Sequence, residues 1–420
     1  MSATENFNDD ELVAPEWLNN DFLKKVIQNC EETGEVEVTN FKLTPGTGKG
    51  DHYGSVMFRA NVDYAVQGSQ KAKALIIKTA PEAEGHKMDM IKDTHFFETE
   101  IKVYTEIFPK FESILRSIGD NTNIGPKCLY YSLHPKTCIV FEDLLPLGYT
   151  VQRDRELNME ELKEVMRKLA VFHAMSFYLN LKEPNLFDDV KYGMMNDPSM
   201  SQNDFVKEGI KMFLEVLNDV PTLSKYKPYF EALQKNILEK CRQIFDEYRE
   251  NPQKDGIYVL CHGDFHTKNM MFKNNPTSKK LEDILFLDFQ LCYIGPIVND
   301  LYYAYYVMCS RELRLEKFDE LLYLYHCHFK TILNKIGFDG VVPKLSEIRA
   351  MFLKYKHFEL FLVSSFLAMR YQALNKDMDI ERSLFSRDYR KSFFMDKEFL
   401  DDLHIYLPKY LYNGYFEDLE

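Results

Sequence analysis

The sequence predicts an α+β chain in two parts, a small antiparallel-sheet N-terminal part and a larger, mainly helical C-terminal part. Three observations carry that expectation. Apolar and polar residues alternate over Glu35–Leu43 and again over Val56–Val66, with Gly and Pro between the runs, which marks antiparallel strands. From residue 158 onward apolar residues recur at helical spacing in one segment after another. Pro146 and Gly148 punctuate the change, and the boundary is drawn there, giving residues 1–144 as the N-terminal part and 145–420 as the C-terminal part.

Taken in order, Asn20–Glu31 reads as an amphipathic helix with Phe22, Val26 and Ile27 on one side. The two alternating runs follow, then the compact apolar run Ala74–Lys78, which ends in a cation. Residues 91–108 return to helical spacing through Ile91, Phe96, Phe97, Ile101, Tyr104 and Phe108, and Lys127–Leu133 and Thr137–Phe141 read as two further strands. In the second part Asn158 is placed to cap a helix with Glu161 at its third position, and Leu162, Val165, Leu169, Phe172, His173 and Ser176 share that helix's inner face. Helical patterns recur over 203–217, 228–250, 299–309, 315–336, 345–374 and 397–406. The connection at 180–200, rich in Asn, Asp, Pro and Met, is expected to be the mobile one.

The bulk numbers bound the function. A chain of 420 residues with 45% hydrophobic and 14% aromatic content can bury two cores. A net charge of −13 argues against general binding to nucleic acid or to an anionic membrane, both of which need a basic face. No apolar run reaches transmembrane length, and the acidic start lacks an apolar signal core. The eight cysteines form no Cys-x-x-Cys, and several sit inside apolar runs; buried thiols in the cytoplasm are the expectation, with no obligate protein partner.

The chemistry concentrates at 261–290, in CHGDFHTKNMMF followed by DILFLDFQ. Phosphoryl transfer needs a carboxylate that orients the attacking hydroxyl and oxygen ligands that hold Mg²⁺ on the nucleotide phosphates. Asp264 can fill the first role, Asn269 and Asp288 the second. The bland reading of His262-Gly263-Asp264 is a capped turn; Asn269 five residues on, and a strand ending at Asp288, outweigh it. A metal-hydrolase reading of alternating His262, Asp264 and His266 leaves Asn269 and Asp288 without a use. Lys78 and Glu100 can pair between strand and helix to hold an amine on the α- and β-phosphates; Glu98 is the rival partner. The Gly-rich stretch carrying Gly50, Gly54 and Ser55 offers backbone N–H groups to phosphate, though it is no P-loop. Main-chain groups of the connector at Glu142 and Leu144 can meet an adenine edge. Asp300 is either the brace of the 262–264 turn or an ordinary helix cap. Tyr302, Tyr303, Tyr305 and Tyr306 can line an apolar acceptor pocket or simply pack in the core.

With these residues assembled the chain resembles the kinase-like superfamily of aminoglycoside phosphotransferases and choline kinases, and more narrowly the ecdysteroid kinase-like family, also called CHK-kinase-like. APEWLN, GDHYGSVMFR, LIIKTAP, FFETEIKVY, IVFEDL, LAVFHAMS, CHGDFHTKNMMF, LFLDFQ and NDLYYAY carry the resemblance over nearly the whole chain. It implies a two-lobed, protein-kinase-like fold, with ATP and Mg²⁺ as cofactors. In it Asp264 would be the catalytic base, Asn269 and Asp288 the Mg²⁺ ligands and Lys78 the phosphate anchor. Many relatives carry Trp where His266 stands. No Lys follows Asp264 by two residues and no Ala-Pro-Glu follows Asp288, both unlike protein kinases. The acceptor implied is therefore a small-molecule alcohol, a steroid or a hydroxylated xenobiotic, and the alternative is an inactive pseudokinase that binds nucleotide or an apolar ligand.

Overall fold

A computed structural model describes residues 12–419 apart from 33–34, 47–54, 83–87, 89–90, 92, 154, 203, 374–381 and 384–385. The chain divides into two compact units that interleave along the sequence. Met1–Pro109, Asn123–Thr150 and Met271–Gln290 make the first; Lys110–Thr122, Val151–Met270 and Leu291–Glu420 make the second. A single cut at 144/145 assigns 271–290 to the helical part, whereas in the fold that segment packs with the sheet-bearing unit. Strands dominate the first unit and helices the second, the α+β class that the sequence predicts.

The first unit is built on five antiparallel strands: β1 (Val36–Pro45), β2 (Val56–Val66), β3 (Ser69–Thr79), β4 (Cys128–Ser132) and β5 (Cys138–Glu142), in the order β1-β2-β3-β5-β4. β2 buries every second residue over most of its length, because one face meets the core and the other does not. β2 and β3 pair over their full lengths, from Val56 opposite Thr79 to Val66 opposite Ser69. The turn between them is Gln67-Gly68, with φ of 49° and 79°. Two left-handed residues match the twist of a two-residue hairpin, and Gly68 takes its share without a Cβ penalty. That register sets Lys78 opposite both Met57 and Ile139, inside the sheet.

The helix Asn20–Glu31 has the bounds expected from its periodicity, and Asn19 caps it by accepting the Phe22 N–H. Leu23, Val26 and Ile27 are buried in the same core as Val38, Phe58, Ala60 and Ile77, while Phe22 only borders it, edge-on to Trp17. The helix Phe96–Lys102 runs on through Pro109 to Ser117. A wide turn over Val103–Ile107, with Phe108 N–H bonded to the Val103 carbonyl, takes up the register next to that proline. A three-stranded sheet, β6 (Tyr149–Val151), β8 (Met270–Asn274) and β9 (Leu281–Phe286), carries the chain toward Asp288.

In the second unit the helix Met159–Lys182 starts with a full capping box: Asn158 accepts the Glu161 N–H, and Glu161 accepts the Asn158 N–H. Against it lie the helix Phe318–Lys335 and the strand β7 (Tyr258–Cys261), which pairs antiparallel with β10 (Tyr293–Pro296). The connection at 180–200 differs from the expectation of a loose loop. Leu186, Phe187, Val190, Met194 and Met195 are buried, and Asn196 is bonded to Asp246. Among the described residues the eight cysteines are free thiols, and no helix is long and apolar enough to cross a membrane.

The cap at Asn158 gives a stability prediction. Asn158→Ala removes one acceptor from the first turn and should cost about 1 kcal/mol, read as a lower denaturation midpoint, while Asn158→Asp should come close to wild type.

Candidate functional site

In the first unit three charges meet. Lys78 is 5% exposed and Glu100 2%, and the Lys78 ammonium donates to Glu100 Oε2 at 2.6 Å and to Asp288 Oδ1 at 2.6 Å. It also reaches the Gln290 amide oxygen at 3.3 Å. Between the two helix candidates, the structure brings in Glu100 and leaves Glu98 exposed. The reason is the helix face: Phe97, Ile101 and Tyr104 are buried beside Glu100. Burial disfavours the charged ammonium, but the Asp288 and Glu100 carboxylates outweigh it and hold the Lys78 pKa above the ordinary lysine value. Burial pushes the Glu100 carboxyl up, against the opposing pull of Lys78. Asp288 itself sits at φ 64°, a left-handed conformation that Asp tolerates better than most residues.

The connector after β5 is fixed from the side. Asp143 is buried and ion-paired to Arg59 at 2.6 Å, and its own N–H is bonded to Ala74. The Glu142 N–H is spent on the Lys127 carbonyl; the Leu144 carbonyl accepts from Leu147 and Tyr149. The Leu144 N–H has no acceptor among the described residues. Ser55 is buried at the start of β2, and Gly50 and Gly54 lie outside the described residues.

In the second unit the catalytic-loop candidates come off the end of β7. Gly263 holds φ 80°, and a Cβ there would sit 2.1 Å from the Leu291 carbonyl oxygen, so the turn admits only glycine. Asp300, fully buried, accepts the His262 N–H at 2.6 Å and the Gly263 N–H at 3.1 Å. It is thus the brace of the turn. Behind it His173 Nε2 lies 3.0 Å from Asp300 Oδ2, and His173 Nδ1 lies 2.7 Å from the Tyr325 hydroxyl. Ser176, one helical turn on, accepts the Leu260 N–H and ties β7 to the same helix. Composition alone does not assign these partners, although the three-residue spacing of His173 and Ser176 in LAVFHAMS puts both on one face.

The braced turn presents Asp264 with both oxygens engaged. His266 Nε2 is 3.2 Å from Oδ1, and the Asn269 amide donates to Oδ2 at 3.0 Å and to the Asp264 carbonyl at 2.9 Å. Burial alone would raise this carboxyl; the charges of His266 and His262 and the bonds from His266 and Asn269 bring it down to about 2. The Asn269 side-chain oxygen accepts no hydrogen bond among the described residues. An amide oxygen here and a carboxylate at Asp288 are hard-oxygen donors of the type Mg²⁺ takes. No three His, Cys, Asp or Glu side chains converge on a common point among the described residues, so His262, Asp264 and His266 do not form a hydrolase-type ligand set.

A model of the ecdysteroid kinase-like family matches residues 49–338. No curated protein matches in sequence. Among solved structures the chain is similar to the GDP complex of wild-type aminoglycoside 2'-phosphotransferase-IIIa, at 14% identity and TM-score 0.34 over 89% of this chain and 99% of that one. It is also similar to the microcompartment-associated aminopropanol kinase (12% identity, TM-score 0.37, 91% and 98% covered). Choline kinase LicA from Streptococcus pneumoniae matches at 11% identity and TM-score 0.32 over 88% and 98%.

Two outcomes follow from this geometry. Asp300→Ala strands two buried N–H groups and His173, and should cost on the order of 3 kcal/mol or more in a urea titration. Asp264 is held ionised, so its contribution to stability is present above its unfolded value near ~3.9 and lost as pH falls through about 2. Asp264→Asn should therefore flatten the acid limb of the stability curve in that window, measured by thermal melts across pH.

Proposed function

We propose that this chain, which belongs to the ecdysteroid kinase-like family, is an ATP-dependent kinase that phosphorylates the hydroxyl of a small molecule, an ecdysteroid or a hydroxylated xenobiotic. The observation that carries the proposal is the clamped, ionised Asp264 on a turn braced by Asp300. Such a carboxylate can accept the proton of an alcohol and aim its oxygen, which is most of what a loose phosphoryl-transfer transition state asks of protein. At a pKa of about 2 it is a feeble base. Its work is orientation, with the proton transferred late as the new O–P bond forms.

The other roles follow the chemistry of each group. Lys78, held by Glu100, is the cation for the α- and β-phosphates. Asn269 and Asp288 would hold Mg²⁺, which when bound offsets charge on the phosphates. The Leu144 N–H and the Glu142 carbonyl would take the adenine edge, and Ser55, with Gly50 and Gly54, the phosphate tail. Lys78 occupies only Oδ1 of Asp288, so the second carboxylate oxygen would be the one offered to Mg²⁺. Free, largely buried thiols are consistent with a cytoplasmic protein, and the net charge of −13 with a substrate that is neither nucleic acid nor membrane.

The test is ATP turnover with a panel of steroid and xenobiotic alcohols, read by mass spectrometry as a gain of phosphate. Asp264→Asn should lower kcat by about 10²–10⁴-fold with the KM for ATP little changed. Lys78→Met should instead raise the KM for ATP as well. Full activity in Asp264→Asn would sink the assignment, and Mg·ATP binding without turnover on any acceptor would favour the pseudokinase.

A further inference from the structure

The second unit contains a cavity of about 240 Å³ whose lining includes none of Asp264, His266, Asn269 or Asp300. Seven of its sixteen lining residues are aromatic, and the charged ones are three acids, Glu316, Asp319 and Glu359, and three cations, Arg314, Arg349 and Lys409. Tyr305 and Tyr306 stand in a wide helical turn over Ala304–Met308, and this turn lets two consecutive tyrosines face the same space. Tyr305 meets Phe318 edge-on at 4.5 Å between ring centres, and Tyr306 meets Tyr406 at 5.6 Å. The face expected from sequence to serve an acceptor thus divides. Tyr302 is spent on core packing, its hydroxyl bonded to the Phe352 carbonyl, and only Tyr305 and Tyr306 reach the cavity.

Also lining it is Glu359, 5% exposed. Tyr306 donates to one carboxylate oxygen and Tyr415 to the other at 2.8 Å, with the Tyr410 hydroxyl 2.6 Å from that of Tyr306. Among the described residues no cation forms an ion pair with this carboxylate. The nearby cations are otherwise engaged: Arg314 with Asp402, and Arg349 with Asp319 at 2.8 Å. Lys409 acts on Glu359 only from beyond ion-pair distance. Burial accordingly pushes the Glu359 carboxyl up to about 7 despite its tyrosine donors. A buried carboxylate without a counter-ion is costly, and aromatic faces attract cations. Each carboxylate oxygen keeps a second lone pair for another donor.

We propose that this cavity is a binding site for small organic ammonium compounds, held between tyrosine faces and the Glu359 carboxylate. Its volume lies just below the ~300–1,000 Å³ of pockets for drug-sized ligands, which fits a molecule of one ring and excludes a steroid nucleus. The site does not depend on the kinase reading, because its lining and that of the phosphoryl-transfer residues are separate sets.

Calorimetric titration of the full chain tests it, with benzylamine as the probe and benzyl alcohol, of nearly the same shape but neutral, as the control. Benzylamine should bind saturably, at least about tenfold more tightly than benzyl alcohol, and Glu359→Gln should erase that difference. Lys409→Met, an exposed rim change that removes the competing charge, should tighten benzylamine binding. The proposal falls if wild type gives no benzylamine binding up to about 10 mM, or if the alcohol binds equally. It falls as well if folded Glu359→Gln keeps the preference. Should Glu359→Gln fail to fold, the alcohol control and Lys409→Met still decide, an unchanged or weaker affinity in the latter counting against the site.

Discussion

A lysine buried in a sheet constrains much of the first unit. The Lys78 ammonium, inside β3, is tolerable only with anions beside it, because an unpaired buried charge costs several kcal/mol. One carboxylate comes from the helix 22 residues on, the other from Asp288, 210 residues away. Between them the chain leaves the sheet, builds about half of the second unit and returns. The pair to Lys78 thus spans two of the interleaved segments of the first unit, and Asp288 makes it from a left-handed backbone conformation. Gln290, two residues later, adds a third oxygen to the same ammonium.

Local chemistry was the part of this fold that could be read from residues. Asn158 and Glu161 signal a capped helix because the interacting atoms lie three residues apart. The alternation of β2 is visible because one face is buried and the other is not. Glu100 could be preferred to Glu98 since its neighbours Phe97, Ile101 and Tyr104 name the inward face. What composition hides is pairing at a distance. Nothing near Arg59 announces Asp143, 84 residues on, and nothing near His173 announces Tyr325, 152 residues on. The helix Arg387–Phe394 escaped notice because it is short and strongly polar, with few apolar residues to set a period. The wide turns at 103–107, 304–308 and 362–366 are likewise silent in a pattern that assumes 3.6 residues per turn.

The candidate site follows the same division. HGD, Asn269 and Asp288 read as a candidate set because phosphoryl transfer restricts the side chains that can serve, and the hydrogen bonds join Asp264 to Asn269 and Asp288 to Lys78. The two readings of Asp300 were open until the backbone showed both N–H groups of the turn pointing at one carboxylate. The tyrosines after it could not be sorted at all from sequence, as four similar rings on one helix divide between packing and cavity according to which way each faces.

Asp300 also says something about where this protein can yield. Loops that carry chemistry usually belong to the least protected part of a fold and open far more readily than the core. Here the amide hydrogens of His262 and Gly263 are buried against a carboxylate that is itself backed by His173 and Tyr325. Opening that turn means disrupting the packing between the helices Met159–Lys182 and Phe318–Lys335, so those two hydrogens should exchange with solvent on the timescale of the unit's core. The turn that carries Asp264 should then be among the last parts of the second unit to loosen.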